Sequence, residues 1–204
     1  MGKSNHFVFI SGFRQVKGRP QTGVDRITEA MHARLAGPGN WFYEKQWDDD
    51  FQATAEQIAM RSINVVAAPK VVIVAYSWGV GNGAVRLSKA LQSLGIDVNC
   101  LFSIDGVYRS PWPLMKWRSM LRRSRLLAPQ ICIPGNVDHL IYWRQERSIP
   151  QGHSFLIEDP GQTLIIPGIG NNGLCRNDDH LSIDNNPEIR EEILRRVLEF
   201  HHAQ

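Results

Sequence analysis

Apolar positions along the first two-thirds of the chain alternate between two modes: short continuous runs, and longer stretches spaced by threes and fours. Short runs bounded by turn residues predict buried strands, and the longer spacing predicts amphipathic helices. Residues 6–13 read as a strand, and 23–35 as a helix with Val24, Ile27, Ala30, Met31 and Leu35 on one face. Asp25 lies in that helix's first turn, and Gly37-Pro38-Gly39 ends it. Residues 41–46 form a second strand. Residues 48–66 form a second helix, entered through three aspartates whose charge suits a helix N-terminus. A strand over 71–75, a helix over 80–94 closed by Gly95, and a strand over 98–104 follow. Such alternation predicts a parallel sheet with helices on both faces.

Between residues 106 and 186 the pattern loosens. Residues 131–133 and 140–143 look like strand pieces, while 155–157 and 164–166 flank Asp159-Pro160-Gly161, which predicts a hairpin. Residues 187–200 predict a closing helix with Ile189, Ile193, Leu194 and Val197 apolar. No repeat, low-complexity tract or linker interrupts the chain. The expectation is one α/β domain over residues 1–204, a three-layer sandwich around a mostly parallel sheet, with an insertion at about 106–130.

Composition changes this picture little. The 204 residues are 43% hydrophobic and 21% charged, which is ordinary for a globular core. The apolar run 7–10 is too short for a signal-peptide core, and no stretch approaches a membrane span. Cys100, Cys132 and Cys175 are far apart and odd in number, so free thiols in a reducing compartment are expected. These readings predict a cytoplasmic protein.

The most specific chemistry sits at residues 71–79, Val-Val-Ile-Val-Ala-Tyr-Ser-Trp-Gly. A β-branched run stops at Ser77, and Gly79 follows two positions later at the start of a helix. That is the layout of a nucleophile elbow, where small flanking residues permit a tight turn and leave the hydroxyl exposed above the sheet. The first small position is Ala75 rather than the usual glycine. A serine hydroxyl needs a base, and the base needs an acid to hold its tautomer. Asp105 ends the next strand, on the same carboxyl edge of the sheet as Ser77. His180 lies in the polar loop before the last helix, whereas His139 and His153 adjoin strand-like runs or turns.

With Ala75-Tyr-Ser77-Trp-Gly79, Ser103-Ile-Asp105-Gly and Asp179-His180-Leu-Ser-Ile-Asp184 in this order, the chain resembles the α/β-hydrolase superfamily over nearly its full length, as a compact serine esterase or lipase. The acid placed one strand after the nucleophile is similar to pancreatic-type lipases; most of the superfamily places it one strand later. The resemblance implies a Ser77–His180–Asp105 triad that cleaves an ester or thioester. It further implies an oxyanion hole from the Trp78 amide and from the loop Gly12-Phe13-Arg14, with Phe13 the expected donor, and no cofactor. Tyr76, Trp112 and Trp117 are candidate substrate contacts.

Other readings compete. Gly79-Val80-Gly81-Asn82-Gly83-Ala84 also fits a dinucleotide fingerprint, with Asp105 where a ribose-binding acid would sit. Against it, two residues separate strand from motif, two strand–helix units precede it, and His180 is left without a role. Asp178, Asp179 and Asp184 beside His180 lack the second histidine of a zinc motif, and read better as loop and capping carboxylates. The insertion carries Arg109, Lys116, Arg118, Arg122, Arg123 and Arg125, with no acidic residue between 106 and 137. Without these six, acidic residues outnumber basic ones, so the net charge of +3 comes from this segment. Interleaved tryptophan, leucine and methionine suit a cap that meets an anionic lipid surface or anionic substrate. A surface helix with solvated arginines is the plainer alternative. Nucleic acid is not expected, because no basic groove or stacking platform accompanies the segment. A non-catalytic module that binds through the cap is the second function class.

Overall fold

The computed structural model describes residues 4–13, 15, 21–110, 112–123, 126–169 and 172–202. Its centre is a six-stranded sheet in the order β2-β1-β3-β4-β6-β8. The strands are β1 (Asn5–Ser11), β2 (Asn40–Gln46), β3 (Lys70–Tyr76), β4 (Cys100–Ile104), β6 (His139–Trp143) and β8 (Leu164–Pro167). Every adjacent pair is parallel. Period-two alternation sends Val8 and Ile10 of β1 to one face and Phe7 and Phe9 to the other.

On the first face lie α2 (Phe51–Ser62) and α3 (Val85–Ser93), which bury Phe51, Ala55, Ile58, Leu87 and Leu91. On the second lie α1 (Gly23–Leu35) and α4 (Pro187–His202), which bury Val24, Ile27, Met31, Ile189 and Ile193. Two apolar cores therefore sandwich the sheet, as the strand–helix alternation predicts for a three-layer α/β fold.

Capping explains where the helices begin. Thr22 and Asp25 form a reciprocal capping box, so α1 has the bounds its periodicity gives. The second helix starts later than its acidic entry suggests, because the Asp50 carboxylate accepts from the Ala53 amide as the N-cap. It also stops at Ser62 rather than 66, and Ile63 and Val66 are exposed. Asn186 caps α4, its side-chain oxygen accepting from Glu188 and Ile189.

One expectation is corrected. Asp159-Pro160-Gly161 does turn the chain, with Asp159 accepting from Gly161, Gln162 and Thr163. The flanking segments nevertheless do not pair as a hairpin. Strand β7 (Phe155–Ile157) joins β5 (Ile131–Ile133) in a separate parallel ribbon, and β8 adds to the edge of the main sheet beside β6. Turn chemistry is local, whereas strand partners are chosen by which sheet edges lie within reach.

Candidate active site

Strand β1 has β2 on one side and β3 on the other, so the direction of winding reverses between β1 and β3. In open parallel sheets this switch point leaves a crevice beyond the carboxyl ends of the strands. Gly12 leaves β1 there, and Ser77 leaves β3. A Cβ on Gly12 would stand 2.8 Å from the Tyr76 ring and 3.0 Å from Ser77 Cβ, so the loop after β1 folds directly against the elbow. A Cβ on Gly79 would meet the Ile10 carbonyl oxygen at 2.6 Å, which accounts for the glycine after the serine. Ser77 itself has φ of 55°, a left-handed backbone that non-glycine residues rarely hold. Its carbonyl oxygen accepts from Val80, Gly81 and Val107, which fixes the turn. The hydroxyl is less open than the elbow pattern predicts: Ser77 is only 4% exposed, because Gly12, Tyr76 and His180 crowd it.

Asp105 follows β4, also in left-handed backbone at φ 42°, and is fully buried. The fold brings both residues to His180. Ser77 Oγ lies 2.9 Å from His180 Nε2, and His180 Nδ1 lies 2.7 Å from Asp105 Oδ2. The imidazole thus links a hydroxyl to a buried carboxylate, the arrangement in which a histidine can take a proton on one nitrogen while the other is held in place.

Three further residues hold this line, and the sequence reading missed two of them. Gln145 donates its backbone N–H to Asp105 Oδ1 and its side-chain amide to Asp105 Oδ2, at 3.1 and 3.0 Å. Its amide oxygen accepts from the Ser148 N–H, and Ser148 Oγ in turn accepts from the His180 N–H at 2.7 Å. Gln145 therefore orients the carboxylate and, through Ser148, the loop that carries the imidazole. It follows β6 on the same carboxyl edge as Ser77 and Asp105, so the polar positions just after each strand were the available signal. Nothing in the sequence marks Ser148. The third residue is Tyr76. Expected at the substrate, it is instead buried behind the imidazole, stacked on His180 at 5.2 Å, with its hydroxyl donating to the His180 carbonyl. Burial, assisted by the Asp184, Asp105 and Asp179 carboxylates, raises its pKa far above the ordinary value and keeps the phenol a donor.

The loop after β1 is braced from the other side. Gln15 Oε1 accepts from the Gly12 N–H, and Gln15 Nε2 donates to the buried Asp184 carboxylate at 2.7 Å. Asp184 also accepts from Gly23 at the start of α1, and burial raises its pKa. Phe13 packs against Trp78 with ring centroids 4.5 Å apart and the rings tilted; Arg14, the last of the three expected loop residues, lies outside the described residues. Trp78 supplies one of the first N–H groups of the helical turn after Ser77, a position with no intrahelical acceptor.

The competing histidines are occupied elsewhere. His6 bonds to Ser4, Tyr43 and Ser62, His139 to the Asn99 carbonyl, and His153 accepts from the Tyr108 N–H. Asp179 accepts from Leu181 and Ser182, and Asp178 from Asn186. Among the described residues no group of three or more His, Cys, Asp or Glu is placed to hold a metal ion. The glycines of the dinucleotide-like motif form a π-helical turn, Gly79–Ala84, packed closely against the rest of the fold. A Cβ on Gly81 would stand 2.1 Å from the Val107 carbonyl oxygen, and one on Gly83 would meet Ile10 and Phe51.

The insertion holds a 3-10 helix, Pro113–Met120, rather than a helix with a packed apolar face. Trp112 is 72% exposed and Trp117 53%, and Leu114 and Leu126 are also exposed. Arg123 pairs with Glu146, Arg118 lies over Tyr108, and Arg125 lies outside the described residues. Among the described residues no helix is long and apolar enough to cross a membrane.

No family model and no curated protein matches the chain. Among solved structures it is similar to the Vlm2 thioesterase domain with genetically encoded 2,3-diaminopropionic acid, bound with a dodecadepsipeptide. The two share 14% identity over 98% of this chain and 94% of that one, with a TM-score of 0.39.

Proposed function

We propose that this protein is a serine hydrolase that cleaves a carboxylic ester or thioester through an acyl-enzyme on Ser77. The observation that carries the reading is the continuous hydrogen-bonded line Ser77–His180–Asp105, whose two ends both sit in left-handed backbone. Strained backbone is retained where surrounding structure enforces it, and that is common at active sites.

Ser77 Oγ attacks the carbonyl carbon while its proton passes to His180 Nε2. Asp105 stabilises the resulting imidazolium and is itself held by Gln145. The negative oxygen of the tetrahedral intermediate is met by the Trp78 amide and by the Gly12–Phe13 loop, with Phe13 as second donor. Collapse expels the alcohol or thiol, which leaves with the proton from Nε2. Water then attacks the acyl-enzyme by the same proton path and releases the acid. Because the imidazole must be neutral to accept the serine proton, kcat/KM falls on the acid side.

Labelling with a fluorophosphonate probe tests the reading. Wild type should be modified on Ser77 and lose esterase activity, and Ser77→Ala and His180→Ala should resist modification. Labelling at another serine, or none, would refute it and favour the non-catalytic module.

The exposed Trp112, Leu114 and Trp117 beside Lys116 and Arg118 further support contact of the insertion with an anionic lipid surface that presents substrate. Co-sedimentation with phosphatidylserine vesicles, lost in Trp112→Ala/Trp117→Ala, checks this part separately. Sedimentation equal to that with neutral vesicles would remove it.

A further inference from the structure

An aromatic wall begins one residue after Ser77. Trp78 packs against Trp47 at 5.2 Å and against Phe13 at 4.5 Å, with Phe13 also edge-on to Trp47 at 6.0 Å. The Arg109 guanidinium lies over both indoles, 4.3 Å from the Trp47 ring and 4.6 Å from Trp78. Each ring reaches this place from a different element: Phe13 after β1, Trp47 after β2, Trp78 after β3. Asn82 donates to the Trp47 carbonyl, and a single parallel bridge joins Tyr108 to Gly81, so the wall and its cation are both anchored to the turn that carries Ser77.

Arg109 has an incomplete set of partners. Its Nε is shielded from solvent with no hydrogen-bond partner, and Asp48 acts on its charge without forming an ion pair. A guanidinium carries five N–H donors and prefers to fork onto the two oxygens of a carboxylate or phosphate. Its position over the ring faces leaves those donors, rather than the faces, to meet a ligand. An aromatic wall could in principle collect a cationic ligand, but here a fixed cation already covers it and would repel one. The segment that carries Arg109 has no acidic residue between 106 and 137, so Asp48, next to Trp47, is the carboxylate that acts on this guanidinium.

We propose that Arg109, held over Trp47 and Trp78, forms a specificity subsite for an acidic ester or thioester, in which a carboxylate or phosphate group is taken by the guanidinium. This rests on the hydrolase reading of Ser77, and the test separates the two.

Three esters are compared on wild type and Arg109→Gln: neutral p-nitrophenyl butyrate, mono-p-nitrophenyl glutarate with the acid on the acyl side, and p-carboxyphenyl butyrate with the acid on the leaving group. Wild type should prefer one of the acidic esters. Arg109→Gln should lose about tenfold to hundredfold in kcat/KM on that ester, chiefly through KM, as expected for removal of a charge-assisted hydrogen bond. The neutral ester should be unchanged, and the arm that responds tells which side of the scissile bond faces the wall. Loss of activity on all three alike, or on none, would overturn the subsite and leave Arg109 as a clamp for the insertion. If Arg109→Gln fails to fold, the wild-type preference for the acidic ester should shrink as salt is raised, and a salt-independent preference overturns the proposal. If no ester is turned over, the hydrolase reading fails. Calorimetry with monobutyl glutarate then decides the subsite alone: binding weakened by Arg109→Lys supports it, and no binding to wild type overturns it.

Discussion

Ser77 and Asp105 hold backbone conformations that cost an L-residue about 1–2 kcal/mol each. The strain at Ser77 can be measured. Ser77→Ala and Ser77→Gly should both abolish turnover, but the glycine variant should be the more stable by about 1 kcal/mol, since only glycine holds positive φ without penalty. Equal urea midpoints would mean that the turn is not strained at this residue. Gln145 offers a second test. Gln145→Leu removes the side-chain donor to Asp105 while keeping the backbone one, and should lower kcat about tenfold to hundredfold with KM nearly constant. A purely structural role would lower the melting temperature and leave kcat per folded enzyme intact, whereas Gln145→Asn should recover part of the rate only if orientation of the carboxylate is the cause.

At the scale of elements, the turn between β3 and α3 is packed closely against neighbouring backbone. Gly81 has the Val107 carbonyl oxygen where a side chain would begin, so Gly81→Ala must push apart the elbow and the segment after Asp105. It should cost at least about 2 kcal/mol and reduce activity with it, as overpacking against rigid backbone does. Gly37, with open space around its Cβ position, is the control: Gly37→Ala should be neutral or stabilising by up to about 1 kcal/mol. Thermal melts of the two variants check both statements.

Across the whole molecule, two histidines are buried in ways that tie stability to pH. His6 is held near a pKa of about 4, first by burial and then by the Arg61 charge, and His153 near about 4 chiefly by burial. The unfolded chain binds these protons near the ordinary value of about 6.5, well above the folded values, so it holds more protons throughout the interval. Both groups therefore contribute their full stability above about pH 6.5, and that stability is lost as pH falls through the folded values near 4. Denaturant titrations should show stability declining over this window by up to about 3 kcal/mol per histidine, and the decline should shrink in His6→Gln. A flat profile would contradict the burial argument. The decline should begin without immediate loss of the fold, so activity lost on the acid side must be corrected for the folded fraction before it is assigned to His180.

Much of this molecule was legible in one dimension. Runs and spacings gave the strand–helix order and the two-faced sheet, because burial on both sides of a parallel strand leaves only apolar residues to read. The chain order Ser77, Asp105, His180 picked out three residues that the fold brings into contact, because parallel strands deliver their carboxyl ends to one edge whatever the rest of the chain does. Pairing partners were not local. The turn at Asp159 was visible, yet its flanking strands went to different sheets, since edge contacts depend on what else has already packed. The insertion was visible as charge and aromatics, but only the tertiary structure shows its tryptophans exposed and Arg109 drawn onto Trp47 and Trp78. Gln145, Ser148 and Gln15 hold the site together through single hydrogen bonds between residues far apart in the chain. Such contacts leave no periodicity and no motif, because a hydrogen bond needs only two groups at the right distance, and that distance exists only once the sheet has formed.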